Sequence, residues 1–250
     1  MTFSFVDFVD MHTHILPGLD DGSKDMAESL SMARCYESAG VKTLVATPHF
    51  IPGTAWATPR ERVLEAVQVL QAELDKANID LTVLPGMEIA YHRKLEERLL
   101  AERVLPLGRS GYYLIEPSLH GGQEELLMCL RSLLDKGHKL ILAHPERVDF
   151  FQRTPQVLQE LVDSGLRIQV TAGSLLGQFG ARSRTAGEVL RQDRCIHLIA
   201  SDAHDSVRRR PLGAAEWEHF LAAPGCKELM ISVNRNISEI FRLDREMCLG

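Results

Sequence analysis

Seven short apolar runs, each followed by a polar turn or loop, constrain the fold of this chain most strongly. They cover residues 5–10, 43–46, 81–84, 112–115, 140–143, 167–170 and 197–200, and helical patterns follow most of them. Strands that alternate with helices are joined by crossovers and lie parallel in a sheet. Because 250 residues is also a usual length for one α/β barrel, we predict a single domain, residues 1–250, with an irregular barrel of about seven strands.

Hydrophobic period and capping residues predict about eight helices between these strands. The expected ranges are 25–39, 59–74, 94–102, 124–136, 155–164, 186–191, 211–221 and 234–245. Three longer stretches without a regular pattern, residues 13–24, 49–58 and 171–185, each follow a strand. Since parallel barrels build their active sites at the carboxyl ends of the strands, we expect these three stretches to be functional loops.

Two histidines close the first apolar run. His12 and His14 are two residues apart, and side chains at this spacing in an extended chain point the same way. Both imidazoles can therefore reach one metal ion. The alternative is that the two rings bond to turn backbone and hold no metal. One of the adjacent carboxylates in the next turn, Asp20 or Asp21, is a further candidate ligand, although adjacent acids in turns commonly act as caps.

The other strand ends also carry residue types that bind metals. A single histidine of this kind is more often satisfied by hydrogen bonds in a core or turn. A buried carboxylate, however, is costly unless it is paired or bound to a cation. Repetition around the predicted barrel therefore favours a site for several metal ions. The further candidate ligands are His49, Glu88, Glu116, His144, Asp202 and His204.

The ligand types narrow the choice of ion and of substrate. Imidazole and carboxylate without thiolate suit manganese, zinc or iron(II). Three divalent ions together with four ionised carboxylates would carry a net charge of about +2, which complements a phosphate dianion. Clustered ions roughly 3.5–4 Å apart can both activate a water molecule and stabilise a leaving oxygen.

Arginines close to two of the candidate ligands are expected to bind phosphate. Arg147 lies three residues after His144, and an arginine triplet, residues 208–210, follows His204. A planar guanidinium can bind two phosphate oxygens at once, and we take Arg147 and Arg209 as the phosphate-binding pair. The alternative for the triplet is a solvated basic turn. The glycine-rich segment 171–180 can shape a substrate wall, but it lacks the lysine of a phosphate-binding loop.

Composition excludes several classes of function. A formal charge of −6 gives no general attraction to nucleic acid or to an anionic membrane surface. The chain has no signal-peptide pattern and no apolar run of the roughly 20 residues that span a bilayer, so we expect a cytoplasmic protein. Its five cysteines form no C-x-x-C pair, and none is followed six residues later by arginine. A disulfide framework, a thiolate zinc site and a cysteine nucleophile are therefore all disfavoured.

These motifs together resemble the polymerase-and-histidinol-phosphatase (PHP) superfamily. The resemblance runs from about residue 7 to residue 245 and is carried by segments 10–23, 46–49, 86–89, 114–116, 143–147, 171–177 and 201–204. Within the superfamily, the chain resembles the bacterial metal-dependent protein-tyrosine phosphatases that act on autokinases of capsule and exopolysaccharide synthesis. Three positions in the expected substrate loops differ from the family pattern: Phe50, Ala90 and Pro117.

The resemblance implies a distorted (β/α)7 TIM-like barrel with three metal ions, usually manganese, with zinc or iron as alternatives. It also implies the grouping of ligands. His12, His14, Glu88 and Asp202 would hold one ion; Glu88, Glu116 and His144 a second; and Asp21, His49 and His204 a third. Arg147 and Arg209 would bind the phosphate, and a metal-activated water would attack phosphorus in line without a phosphoenzyme.

The implied substrate is a phosphotyrosine protein, namely the tyrosine-rich tail of a kinase. Two other functions remain open from the sequence. One is a small-molecule phosphatase on the same scaffold, acting on histidinol phosphate or a sugar phosphate. The other is a non-catalytic module that binds phosphate, although such a module would be expected to lack one or more of the ligands.

Overall fold

Nine short strands form the centre of the molecule. The computed structural model describes residues 8–241 of the chain. The strands are β1 (Val9–Thr13), β2 (Thr43–Ala46), β3 (His49–Phe50), β4 (Thr82–Pro85), β5 (Glu88–Ala90), β6 (Tyr112–Glu116), β7 (Lys139–Ala143), β8 (Arg167–Thr171) and β9 (Leu198–Ala200). They form one sheet in the order β1-β2-β4 and a second in the order β3-β5-β6-β7-β8-β9, and all neighbouring pairs are parallel.

The nine strands occupy seven positions, because a second short strand that was not predicted follows both β2 and β4. One of these, β3, lies at the start of the predicted loop 49–58. Pro48, which has no N–H to donate, separates β2 from β3. Gly86 separates β4 from β5 and packs closely, since a Cβ at this position would lie 2.8 Å from Cγ1 of Val45. Each interruption divides a strand between the two sheets, which distorts the barrel.

Backbone contacts connect the first strand to the segment after the last one. Thr13 forms a parallel bridge with Ala203, and the amide of His14 donates to the carbonyl of Ala203 at 2.8 Å. The amide of Asp202 likewise donates to the carbonyl of His12 at 2.9 Å. These bonds complete the distorted (β/α)7 arrangement and bring residues 12–14 beside residues 202–204.

Ten α-helices follow the strands within the described residues and pack mainly on the outside of the sheets. They are α1 (Met26–Ser38), α2 (Arg60–Lys76), α3 (Leu95–Leu100), α4 (Glu124–Asp135), α5 (Asp149–Arg153), α6 (Gln156–Asp163), α7 (Ala172–Leu175), α8 (Gly180–Gln192), α9 (Ala214–Ala222) and α10 (Cys226–Ile240). A 3-10 turn, Pro145–Arg147, precedes α5.

Helix α2 shows how the sequence attaches these helices to the sheets. Its buried residues Val63, Val67, Leu70 and Leu74 recur every three to four positions and form one apolar stripe that faces the strands. Burying each such side chain stabilises the fold by about 2 kcal/mol. The first helix begins as its sequence predicts, because the Asp25 carboxylate accepts from the amide of Glu28 at 2.9 Å and caps the N-terminus.

Several predicted boundaries were wrong. The first strand runs through Thr13 rather than ending at Asp10, and residues 5–7 of that prediction lie outside the described range. The stretch 171–185 is not a continuous loop, since it contains α7 and the start of α8. Its glycines have low helix propensity and hid this helical character. Helix α10 begins at Cys226, eight residues before the predicted start, and residues 242–245 lie outside the described range.

Between residues 8 and 241, no helix is both long enough and apolar enough to cross a bilayer.

Candidate metal centre

The nine predicted ligands gather at the carboxyl ends of the parallel strands. His12 lies within β1 and His14 just after it, His49 begins β3, Glu88 begins β5, and Glu116 ends β6. His144 follows β7, Asp202 and His204 follow β9, and Asp21 comes from the loop after β1. Seven of these nine side chains are at most 10% exposed; Glu116 and Asp21, at 18% and 43%, lie at the mouth of the site.

Two of these residues adopt a backbone conformation that is uncommon for residues other than glycine. His144, with φ +34°, directly follows β7, and Asp202, with φ +52°, lies two residues after the end of β9. A left-handed conformation of this kind costs on the order of 1 kcal/mol or more and persists where the surrounding structure fixes it. Such strain is concentrated at functional sites, and here the bend turns both side chains towards the other candidate ligands.

Four buried side chains form the tightest group. Nε2 of His12 and Nε2 of His14 are 3.2 Å apart. Each of these nitrogens lies 3.3 Å from Oε2 of Glu88 and 3.4 Å from Oδ1 of Asp202. Ligands placed tetrahedrally at about 2.1 Å from one ion are about 3.4 Å from one another. The spacing of the two imidazoles with either carboxylate is therefore suitable for a first-row metal.

Glu88 connects this group to its neighbours. Its Oε1 lies 2.8 Å from Nε2 of His144, and its Oε2 lies 3.0 Å from Nδ1 of His49. Nδ1 of His49 is also 3.4 Å from Oε2 of Glu116. Two further sets of potential ligands are thus His12 with Glu88 and His144, and His49 with Glu88 and Glu116.

A fourth set lies towards the mouth of the site and combines His14, Asp21, His49 and His204. Oδ1 of Asp21 is 3.4 Å from Nε2 of His49 and 3.5 Å from Nε2 of His204. The predicted third group, Asp21 with His49 and His204, is therefore brought together. The predicted second group, Glu88 with Glu116 and His144, is not found as one set. Glu116 lies with Glu88 and His49, whereas His144 lies with Glu88 and His12.

Residues that orient the candidate ligands were not assigned by the sequence. Oδ2 of Asp20 accepts from Nδ1 of His14 at 2.7 Å and from the amide of His49 at 2.8 Å. Oε1 of Gln169 lies 3.0 Å from Nδ1 of His12. A polar residue at a buried position of an apolar strand was the available signal for Gln169, and adjacency to Asp21 was the signal for Asp20. Such contacts fix which ring nitrogen faces a metal.

Charges in the cluster shift each other's protonation. Burial would raise the pKa of Asp202 and Glu88, but neighbouring histidines, with His12 the largest contributor, hold both well below their usual range. Burial would lower the pKa of His49, yet the Glu88 carboxylate raises it to about 10. The pKa of His204 is lowered by its burial and by His14. The carboxylates are therefore ionised at neutral pH, as metal ligands must be.

Unpaired polar atoms test whether a metal fits this site. Oε2 of Glu88, Nδ1 of His49 and Nδ1 of His144 are buried and have no hydrogen-bond partner among the described residues. A buried carboxylate oxygen without a partner is costly. The Glu88 oxygen lies within 3.3 Å of three imidazole nitrogens. A cation bound between these atoms would be a partner for the oxygen. The residues present therefore fit divalent metal ions.

The two predicted phosphate-binding arginines lie together at the edge of this cluster. Nη1 of Arg147 and Nη2 of Arg209 both donate to Oδ2 of Asp202, the latter at 2.8 Å. The other oxygen of Asp202 faces His12 and His14, so this carboxylate joins the arginine pair to the candidate metal ligands. Nε of Arg209 is buried without a hydrogen-bond partner in the described part of the chain.

Other residues that the sequence considered lie outside the cluster. The four described cysteines, Cys35, Cys129, Cys195 and Cys226, are free, and burial raises the pKa of each thiol. Raised pKa values keep them protonated at neutral pH and give no support to a thiolate nucleophile. Cys248 lies outside the described residues. Phe50 is 4% exposed, and the guanidinium of Arg98 lies 5.4 Å from its ring centroid.

Comparison with known proteins identifies the family of this chain. The chain matches the family model for capsular polysaccharide synthesis, CpsB/CapC, over residues 8–219. It is 35% identical over 234 residues to the tyrosine-protein phosphatase YwqE of Bacillus subtilis, which covers 94% of this chain and 91% of YwqE. It is 30% identical over 239 residues to the tyrosine-protein phosphatase CpsB of Streptococcus pneumoniae, which covers 92% of this chain and 97% of CpsB.

Solved structures with a similar fold include phosphatases. One similar structure comes from a crystallographic study of YwqE and of Streptococcus pneumoniae CpsB, described as metal-dependent tyrosine phosphatases. It superimposes on this chain with a TM-score of 0.81 and 33% sequence identity, and the match covers 92% of this chain and 95% of the other. A histidinol phosphate phosphatase from Lactococcus lactis shares only the fold, with TM-score 0.59 and 11% identity over 92% of this chain and 94% of that one. The family match and the identity to YwqE show that this chain belongs to the CpsB/CapC family of capsular polysaccharide synthesis.

Proposed function

We propose that this protein is a metal-dependent phosphomonoesterase that removes phosphate from tyrosine residues of a protein substrate. The spacing of His12, His14, Glu88 and Asp202 carries the proposal. The buried Nε2 atoms of the two histidines lie 3.2 Å apart, and each is 3.3 Å from a Glu88 oxygen and 3.4 Å from an Asp202 oxygen, beside two arginines. The relatives named as tyrosine-protein phosphatases support the reaction and the substrate class.

We further propose that nine residues hold three divalent ions, most suitably manganese, with zinc or iron as alternatives. These residues are His12, His14, Asp21, His49, Glu88, Glu116, His144, Asp202 and His204. Ions bound there would activate water as a nucleophile and neutralise charge on the phosphoryl oxygens. The imidazole and carboxylate donor set supports this choice of ions.

In this proposal the chain itself binds and orients the phosphoryl group. Arg147 and Arg209 donate to its oxygens, and Asp202 keeps the two guanidiniums beside the metal ligands. The indole of Trp56 stacks on the ring of His49 with an interplanar angle of 12° and provides an aromatic surface at the site. A phenol, with a pKa near 10, also departs more readily than a sugar hydroxyl, so an aryl phosphate needs little help from a general acid.

The finer proposal is that the substrate is the tyrosine-rich tail of a bacterial autokinase in capsule or exopolysaccharide synthesis, and that the protein acts in the cytoplasm. The family's role in capsular polysaccharide synthesis supports this substrate. The net charge of −6 favours recognition by local cations at the site over a general attraction to acidic partners.

A substrate panel tests the function. Metal-loaded protein should hydrolyse a phosphotyrosine peptide with a higher kcat/KM than histidinol phosphate or a sugar phosphate, and metal-stripped protein should hydrolyse none of them. Elemental mass spectrometry of freshly purified protein should find up to three divalent ions per chain. A preference for histidinol phosphate would support the small-molecule alternative, and tight phosphate binding without turnover would support the non-catalytic one.

A further inference from the structure

The glycine-rich segment 171–180 contains an aromatic residue that contacts both candidate phosphate-binding arginines. We propose that Phe179 is a positioning residue, which holds the guanidiniums of Arg147 and Arg209 in the orientation that receives the phosphoryl group. This inference rests on the proposed function, in which these arginines bind phosphate. The segment would then aid phosphate binding through the ring of Phe179 and not through backbone amides.

The ring of Phe179 lies close to both cations. Cζ of Arg147 is 4.5 Å from the ring centroid, and Cζ of Arg209 is 5.9 Å from it. A guanidinium within about 6 Å of an aromatic face is attracted by the negative charge of that face. One ring therefore contacts two side chains that lie 62 residues apart in the sequence.

The ring supplies an interaction that Asp202 alone cannot provide. Both guanidiniums donate to the same carboxylate oxygen, Oδ2 of Asp202, so two like charges meet at one point. A bond through one terminal nitrogen fixes that nitrogen but leaves the plane of the guanidinium free to rotate about the contact. An aromatic face restricts this plane, and with it the direction of the guanidinium donors that can face a ligand.

The segment is built to place the ring at this position. A Cβ on Gly173 would lie 2.9 Å from Cε2 of Phe179 and 2.5 Å from Oε1 of Gln178, so only glycine leaves room for both side chains. The amide of Gln178 also donates to the carbonyl of Gly173 at 2.8 Å. Gly177 and Gly180, with φ +84° and +86°, form the turns on either side of the ring.

A buried carboxylate connects this segment to the turn that carries Arg147. Glu146 is 1% exposed, and its Oε1 accepts from the amide of Thr171 at 3.0 Å and from the hydroxyl of Ser174 at 2.7 Å. Because Glu146 directly precedes Arg147, these two bonds fix the 3-10 turn relative to the segment that carries Phe179. The aromatic ring and the arginine are thus positioned by one set of contacts.

The variant Phe179→Leu tests the proposal, since leucine keeps an apolar side chain but removes the aromatic face. We expect the Kd of inorganic phosphate for the metal-loaded protein, measured by calorimetry, to rise roughly 5–10-fold. KM for a phosphotyrosine peptide should rise by a similar factor. The kcat and the amount of bound metal should change by less than about twofold, because the lost interaction stabilises the bound substrate and the transition state equally. Phe179→Trp, which restores an aromatic face, should return both constants towards the wild-type values.

Tyr112→Leu is the matched control. Tyr112 begins β6 at the opposite end of the strands, where Nζ of Lys139 lies 5.6 Å from its ring centroid. Its loss should leave Kd and KM unchanged. Gly173→Ala should reproduce the effect of Phe179→Leu by displacing the ring, and it provides the same test if the leucine variant does not fold.

Unchanged phosphate affinity in both Phe179→Leu and Gly173→Ala would overturn the inference. It is also overturned if kcat, bound metal and thermal stability fall together without rescue by tryptophan, since Phe179 would then have a purely structural role. Failure of the wild-type protein to hydrolyse the peptide contradicts the proposed function instead. In that case, the ratio of phosphate affinities between wild-type and variant still decides the role of Phe179.

Discussion

Replacing Asp20 with asparagine should weaken metal binding although Asp20 is not itself a predicted ligand. Its carboxylate accepts from three N–H groups: Nδ1 of His14 at 2.7 Å, the amide of His49 at 2.8 Å and the amide of Gly22 at 2.9 Å. Asparagine has nearly the same shape but only one side-chain oxygen. Whichever way its amide is turned, an N–H of the new side chain faces at least one of these donors. The variant therefore disturbs the ring of His14, the backbone of His49 or the loop at Gly22.

The pKa of Asp20 gives the magnitude. Burial alone would raise it, but the ring of His14 and the two backbone amides lower it from 3.8 to about 2. This lower pKa corresponds to about 2.5 kcal/mol of preference for the ionised carboxylate. Removing a carboxylate that orients a metal-binding histidine commonly lowers metal affinity or activity by about 10–100-fold, and one tenfold step is about 1.4 kcal/mol. The free energy that follows from the pKa and the expected loss of metal affinity are therefore of similar size.

The assay is a competition titration of metal-free protein with Mn²⁺ and Zn²⁺ against a chromogenic chelator, together with kcat/KM on a phosphotyrosine peptide. Asp20→Asn should lower the affinity for at least one ion by about 10–100-fold. Asp25→Asn is the matched control, since asparagine caps a helix as well as aspartate does and α1 should be unaffected. Wild-type metal affinity in Asp20→Asn would refute the claim that this carboxylate orients the cluster.

Three further outcomes are expected. Chelation should abolish turnover while replacement of all five cysteines leaves it nearly unchanged; activity that survives chelation but is lost with a cysteine would contradict the metal mechanism. In the metal-free protein the pKa of His49 is about 10, because the Glu88 carboxylate outweighs the effect of burial. A metal ion must therefore displace a proton from His49, and the metal affinity of the protein should fall about tenfold for each pH unit between pH 9 and pH 6. A metal affinity that does not depend on pH would contradict this. Burial and Arg167 lower the pKa of His197 to about 4, and its Nδ1 accepts from the amide of Ile168 at 3.2 Å. The neutral ring should therefore contribute about 3 kcal/mol to the free energy of unfolding above pH 6.5, and this contribution is lost as pH falls towards 4. Denaturant titrations at several pH values should show that His197→Asn lacks this loss of stability; an unchanged pH dependence in the variant would contradict the assignment.

The sequence by itself determined that the strands are parallel and at which end of them the candidate ligands lie. Alternating apolar runs and helical patterns imply parallel strands, and parallel strands must bring residues such as Glu88 and His144 to one end. This inference needs only local pattern and chain direction. For the same reason, all nine predicted ligands and both arginines were found together, although their groupings and roles stay predictions.

The tertiary structure alone decided which atoms meet. Gln169 lies 3.0 Å from His12 across 157 residues, and the ring of Phe179 contacts both arginines, only because the strands and the loops that follow them pack together in three dimensions. Loop conformation depends on close packing, as at Gly173, and on left-handed backbone, as at Asp202, and neither leaves a periodic signal in the sequence. Periodicity fixes the direction of a strand, whereas distances of a few ångström between remote side chains are set by packing of the whole molecule.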